Sequence, residues 1–296
     1  MTGLGNLTRR NSKLFFKDKG MFFTSLITPV ILLVLYATFL AKVYRDSFAS
    51  AVPQGFELDS SLIDANVGGQ LISSLLAVCC ITVAFCSNML MVQDKVTGAL
   101  RDITVTPVKR STLAVSYYIA TVLSTMLICL IATGAGFIYL AKAGWYLSAA
   151  DTALFVLDVI LLVLFGTALS SIINFFLSSQ GQMSAVGTIV SAGYGFICGA
   201  YMPISQFGET LQHVISFLPG TYGTSLLRNH ALAGVYQEMA DTGFPSEVIE
   251  AIKDSVDCNL YFFDSKVETG TMYLILAGST AVLIGIYIVM NLLKKH

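Results

Sequence analysis

Apolar residues in this chain come in long unbroken runs parted by short polar breaks. They follow neither the alternation of a half-buried strand nor the narrow stripe of a soluble amphipathic helix. A hydrocarbon layer about 30 Å thick takes about 20 residues at 1.5 Å rise per residue. Runs of about that length lie at 21–40, 67–92, 113–140, 152–177, 185–200 and 271–293, the fifth being the shortest and rich in glycine. The pattern predicts an all-α integral membrane protein with six transmembrane helices. Composition agrees: 55% of the 296 residues are hydrophobic and 12% charged, with a mean hydropathy of +0.74, outside the range of a soluble domain.

The polar breaks orient the runs. With the N-terminus in the cytoplasm, Arg9, Arg10, Lys13, Lys17, Lys19, Lys95, Arg101, Lys109, Arg110, Lys294 and Lys295 fall inside. Lys42, Arg45, Lys142, Arg228, Lys253 and Lys266 fall outside. Excess lysine and arginine on the inner side predicts that both termini are cytoplasmic, as an even number of spans requires. The first run is long enough to span and no small-residue cleavage site follows it, so a retained anchor is expected rather than a cleavable signal.

Residues 1–20 form either a cytoplasmic interfacial helix or a basic flank that sets topology. On a helical wheel Leu4, Leu7, Leu14 and Phe15 fall on one side, and Arg9, Arg10, Lys13 and Lys17 on the other. Two external segments are expected. The first, 41–66, carries Asp46, Glu57, Asp59 and Asp64. The second, 201–270, starts semi-apolar and turns acidic from residue 237 to 268, where Pro245-Ser246-Glu247 reads as a helix start with a capping serine ahead of Val248, Ile249 and Ile252.

Candidate chemistry is sparse. A net charge of −1 gives no broad basic surface for nucleic acid. His213, His230 and His296 share no metal-ligand spacing with cysteines or carboxylates, so no metal is expected. Cys79, Cys80, Cys86, Cys129 and Cys198 lie in apolar runs, and Cys258 alone lies in a polar region, where it should be open to impermeant reagents. No phosphate-binding loop, dinucleotide fingerprint or catalytic triad is present, so the chain is not read as an enzyme and holds no cofactor of its own. Asp158, about two turns inside the fourth run and about 9 Å from its outer end, must find a partner or water; it is either a proton relay or a group that snorkels to the outer face or pairs with a cation there.

The segment 93–110 is the most informative. It is charged at both ends, short enough for one to two helical turns, and stopped by Pro107. It is either an ordinary basic loop or a helix that docks a soluble partner, with Leu100 and Ile103 as the apolar knob and Lys95 and Arg101 steering by charge. With Gly98, Ile103, Thr106 and Pro107 in place, it resembles the ABC-2 family of transporter permeases. Ala99 departs from the threonine often found after that glycine, and Arg101 from the acid common two residues later. A second resemblance lies in Gly199-Ala200-Tyr201-Met202-Pro203, then Leu218-Pro219-Gly220-Thr221-Tyr222, then Leu227-Arg228. There the family re-enters the outer membrane as short helices before its last span, although prolines around a semi-apolar stretch also suit a surface loop.

The resemblance covers nearly the whole chain and implies a 21–296 six-helix transmembrane domain, with 93–110 as cytoplasmic coupling loop and 201–270 as extracellular segment. It implies a homodimer or closely related heterodimer in a bacterial-type cytoplasmic membrane, with ATP and Mg2+ bound by a separate ABC ATPase subunit that pushes the coupling helix. Its path lies along the first, second and fifth spans, where Ser184, Gly187, Ser191 and Tyr194 either contact cargo or pack helices. The implied cargo is a hydrophobic or amphipathic drug, antibiotic or peptide, with a lipid-linked glycan as the alternative. An ion-coupled secondary carrier and a membrane scaffold are the other function classes left open; a carrier would need more intramembrane ionisable groups than Asp158 or a visible repeat.

Overall fold

The computed structural model describes residues 2–51, 59–263 and 265–293; Glu57, Asp264, Lys294, Lys295 and His296 lie outside them. Helix follows helix along the chain: α1 (Thr2–Lys17), α2 (Lys19–Leu35), a π-helical turn (Tyr36–Leu40), α3 (Ala41–Ala51), α4 (Ser60–Thr97), α5 (Ala99–Thr104), α6 (Arg110–Ala143), α7 (Ala149–Phe176) and α8 (Gln180–Ile197). After a single 3-10 turn (Ile204–Gln206) come α9 (Glu209–Ile215), α10 (Pro219–Asp241), α11 (Ser246–Ser255), a hairpin of β1 (Leu260–Phe262) and β2 (Ser265–Val267), and α12 (Thr269–Leu293). The strands pair antiparallel, Leu260 opposite Val267.

Among the described residues, five stretches are long and apolar enough to cross a bilayer: Lys19–Asp46, Ser60–Thr97, Arg110–Ala143, Ala149–Phe176 and Thr269–Leu293. The run predicted at 185–200 is helical, as α8, but it is 18 residues long and opens on Gln180 and Gln182, so length and composition do not qualify it as the others do. The segment 41–66, expected to be external, is helical at both its ends. The first apolar helix continues through its π turn into α3, which Arg45 ties to α4 through Asp64.

The bundle is built around α4. Its 38 residues span about 57 Å, and 89% of its most apolar window is buried, against 18% for α2 and 22% for α12. It packs against α2, α6, α7, α8 and α10. Hydrocarbon offers no hydrophobic gain for bringing such helices together, so close packing and hydrogen bonds must do it. Gly166 of α7 provides one close approach, since a Cβ there would lie 2.7 Å from Ile81 and 2.9 Å from the Cys80 carbonyl. Nearby, Asn88 donates to Ser170 (3.1 Å) and Ser171 (2.8 Å) across the same pair of helices.

The semi-apolar start of the second external segment is helical in part, as the largely exposed α9 and the buried α10. α8 ends beside the middle of α4, where Val78 packs with Cys198 and Ala200. From that depth α10 sets out: Pro219 is its first residue, Gly220 touches Tyr194, and Gly234 meets the Tyr146 carbonyl in the α6–α7 connection. α10 thus lies against α4, α7 and α12, and its polar residues Thr221, Thr224, Ser225, Arg228 and His230 are buried.

Two ionic contacts hold it there. Arg228, expected to face outward, is 3% exposed. It donates to Asp257 (3.1 Å), Ser74 (3.1 Å), the Val256 carbonyl (3.0 Å) and the Gly199 carbonyl. Asp257 in turn accepts from the Ile204 amide at 2.8 Å, which fixes the turn after Pro203. Asp158 does not snorkel: it is fully buried, with His230 Nδ1 2.6 Å from one carboxylate oxygen and the Tyr273 hydroxyl donating to the other at 2.6 Å.

The acidic stretch folds as α11 and the hairpin. Ile249 and Ile252 are buried as expected, but Ser246 is the first helical residue and makes no cap, the N-cap position belonging to Pro245. Lys253 and Lys266 both reach Glu250 and draw its carboxyl down to about 2. Cys258, expected to be exposed, is 1% exposed, and burial pushes its thiol up to about 12.

Gly166→Val should lower the unfolding temperature in detergent by an amount matching about 1–3 kcal/mol of overpacking. The control is Gly134→Val, whose added Cβ meets nothing within 4 Å. Equal drops in both variants would show that α4 and α7 do not depend on that close approach.

Candidate functional site

Two features stand out, one at the end of the bundle that carries α1 and α5, the other along α2 and α8. At the first, α4 stops at Gly98, whose φ of +84° only glycine adopts without strain. The chain turns there into the six-residue α5. Its end is closed locally: Thr104 donates to the Arg101 carbonyl (2.8 Å), Thr106 donates to the Ile103 carbonyl (2.6 Å), and Pro107 ends the helix.

The predicted knob faces the wrong way for docking. Leu100 and Ile103 are half-buried and pack on Leu90, Met91, Leu113 and Tyr117, beside Leu7 and Leu14 of α1. The apolar residue presented outward is Val105, 86% exposed, flanked by exposed Arg101, Asp102 and Thr106. The pattern concealed this because a helix of fewer than two turns shows no period that tells its inner face from its outer one. Beneath α5 lies a cavity of about 230 Å3 lined by Met91, Leu100, Arg101, Leu113 and Phe175, among others.

Lys95 is likewise not a steering charge. Its ammonium group donates to the carbonyls of Asn174 (3.0 Å), Phe175 (2.8 Å) and Leu177 (3.1 Å), so it caps the last turn of α7, where carbonyls have no helical partner. The neighbouring Asp94 is buried and receives two bonds from Arg10 of α1 (2.6 and 3.1 Å) and one from Tyr117 of α6 (2.5 Å). Arg10 therefore departs from the solvent face that the helical wheel gave it. α4 ends in a clamp on α1, α6 and α7 immediately before the Gly98 hinge. The sequence signal for this clamp is Asp94, an aspartate directly after a long apolar run.

The second feature is a groove of about 540 Å3 between α2 and α8, floored by Cys86 and Met89 of α4. Thr24, Ile27, Thr28 and Ile31 line one wall, and Met183, Ser184, Gly187, Thr188 and Ser191 the other. A Cβ on Gly187 would lie 2.8 Å from the end of the flexible Met89 side chain. The surface is apolar with scattered hydroxyls and no charge. Ser184, Gly187 and Ser191 thus share one concavity, whereas Tyr194 does not join them. Its ring turns inward against Gly220, and its buried hydroxyl has no hydrogen-bond partner among the described residues.

Among the described residues no group of three His, Cys, Asp or Glu could hold a metal ion. What remains is a multi-pass bundle of apolar helices, with a hinged helix at one end and an uncharged groove along its side, the architecture of a transporter's membrane subunit. The sequence pattern of the ABC-2 type transporter matches residues 2–231, and the chain belongs to that family. Its members are the membrane components of ABC transporters and normally work with an ABC ATPase subunit. None of the curated proteins matches the chain. The family match stops within α10, so α11, the hairpin and α12 lie beyond it.

Asp94→Asn should cost about 1–2 kcal/mol, at the low end for a charged hydrogen-bonded pair because Arg10 keeps about a third of its exposure. Trypsin should then cut α1 after Arg9 and Arg10 faster than in the parent protein. Unchanged cutting would mean that the ion pair does not hold α1 to the bundle.

Proposed function

We propose that this chain is the permease subunit of an ATP-driven exporter, coupled through α5 to a separate ATPase that binds ATP and Mg2+. The observation that carries the reading is the exposed tip at Arg101–Val105 on a glycine hinge, at the end of the helix that also floors the groove. A push on the tip bears on α4 through Gly98. α4 is clamped by Asp94 and Lys95 and buried for most of its length, so it transmits displacement as a rigid body toward Met89 and Cys86.

Both termini, α1 and α5 lie on the cytoplasmic side of the cell membrane, in keeping with the excess of lysine and arginine at that end. α8 crosses as the fifth of six spans. α10 re-enters from the outside, with Arg228 bonded to Asp257 and His230 to Asp158, the kind of partner that charged and polar groups need at hydrocarbon depth. α2 and α8 present their open groove to a second permease copy, identical or closely related, and the two grooves face one another as the path. Apolar walls with scattered hydroxyls suit a hydrophobic or amphipathic drug, antibiotic or peptide. Asp158 is satisfied on both oxygens by protein groups and serves as an anchor for α10, which disfavours a proton-driven carrier.

The test is co-purification of the permease with a Walker-motif ATPase from its native membranes, with Val105→Asp as the probe. That variant should keep its unfolding temperature yet lower ATPase recovery and cargo-stimulated hydrolysis about tenfold, the cost of burying one unpaired carboxylate at an interface. Ile103→Asp, which also disrupts the cluster beneath α5, should lower both stability and coupling. Full coupling in Val105→Asp would overturn the docking assignment.

Topology has its own readout. An impermeant maleimide applied to whole cells should label Glu247→Cys, which is exposed on α11. The native Cys258 should stay silent until the protein is denatured, because it is buried and its thiolate is suppressed. Labelling of Glu247→Cys only after lysis would invert the topology.

A further inference from the structure

A further concavity belongs to neither the groove nor the coupling end. It is a trough of about 990 Å3 between α1 and the first third of α6. Two adjacent rows of α1 form one wall. Thr8, Ser12 and Phe16 make up the row nearer the bundle, while Gly5, Arg9, Lys13 and Lys17 make up the outer one. Ile119 and Leu123 of α6 form the apolar floor.

Three properties of this trough point to one kind of occupant. First, the charges of α1 are divided: Arg10 turns inward to Asp94, while Arg9, Lys13 and Lys17, at i, i+4 and i+8, stay exposed around the trough. Second, Thr8 Oγ1 and Ser12 Oγ are buried in its wall without a hydrogen-bond partner among the described residues, and buried hydroxyls are normally satisfied. Third, the floor does not end. From Leu123, which is 53% exposed, it continues along α6 through Leu127 (50%), Leu130 (42%) and Ile131 (66%), at i, i+4, i+7 and i+8 on one face.

Anion-binding groups at one end and a continuous apolar strip at the other match a molecule with an anionic phosphate head and a long hydrocarbon tail. We infer that the trough is a binding site for one anionic phospholipid of the inner leaflet. Its phosphate lies among Lys13, Arg9 and the hydroxyls of Thr8 and Ser12, and an acyl chain lies along the α6 strip. This rests on the proposed cytoplasmic placement of α1, where anionic lipid is available. Because the opposite face of α1 carries Arg10, Leu7 and Leu14, which clamp Asp94 and border the cluster under α5, an occupied site would hold down the helix on which the coupling end rests.

Native mass spectrometry of the full chain, released from mixed micelles holding equal phosphatidylglycerol and phosphatidylcholine, tests the inference. The parent protein should retain phosphatidylglycerol preferentially. Lys13→Gln should reduce that preference about fivefold, the effect of one cation at a lipid surface. Gly5→Leu alters no charge, meets no atom within 4 Å of its Cβ and fills the trough, and it should abolish the preference without lowering the unfolding temperature. No preference in the parent protein, or a preference untouched by Gly5→Leu, would overturn the site and leave only the general attraction of a basic flank. Displacement of the lipid by millimolar inorganic phosphate would overturn the acyl-chain seat. The measurement is made in detergent, so an inverted result in the Glu247→Cys labelling would refute the inner-leaflet placement while leaving the measured phospholipid preference to stand or fall by itself.

Discussion

A helix immersed in hydrocarbon gains nothing from hiding apolar side chains, and its backbone is already satisfied, so what pulls helices together must be close contact and polar bonds. α4 is where this protein concentrates both. Gly166 admits the α4 backbone to α7, Asn88 reaches the Ser170 and Ser171 hydroxyls, and Asp94 and Lys95 fasten the end of α4 to α1, α6 and α7. The other elements of the bundle are arranged around this one rod. Because it is buried on nearly all sides, it moves as a unit or not at all, and the hinge at Gly98 is the first place beyond the clamp where the chain bends freely.

Three buried or half-buried ionic contacts secure segments that neither apolar length nor the bilayer would hold. Arg10–Asp94 fixes the amphipathic α1, Asp158–His230 fixes α10 to α7, and Arg228–Asp257 joins α10 to the turn after α8 and to the end of α11. Such pairs give little net stability relative to apolar packing of the same volume, but removing one partner strands the other, at several kcal/mol where the pair is fully buried and about 1–2 kcal/mol at the partly exposed Arg10–Asp94. They therefore act as locators, and each sits where the apolar pattern alone leaves a segment's position undecided.

The distribution of burial also separates the two faces of the molecule. α12 and the outer side of α6 are exposed and uniformly apolar, as lipid contact requires. α2 is as exposed as α12, but it shares its face with α8, whose glycines and hydroxyls are poorly suited to lipid and well suited to another helix. Under the proposed function that face meets the second permease copy, and the uncharged groove within it explains how a cargo without fixed charge could be handled by a protein with so few ionisable groups in its membrane-depth helices.

The sequence by itself determined which stretches are long and apolar enough to cross a bilayer, the place of the glycine hinge and proline stop around α5, and the family, because each is encoded in contiguous residues whose physics does not depend on a distant partner. Helix α8 was legible as a helix and read as the fifth span; its polar start sets it apart from the five stretches that qualify by length and composition. Only the tertiary structure decided which way Leu100 and Ile103 face, that Lys95 caps α7, that Tyr194 leaves the groove, that Asp158 finds His230 and Tyr273, and that Arg228 and Cys258 are buried. These outcomes join residues distant in sequence, 29 positions apart for Arg228–Asp257 and 154 for Arg228–Ser74, or turn on the roll of a helix too short to show its period. A polar residue such as Asp94 or Arg228 reads as surface until the structure supplies the partner that makes its burial tolerable.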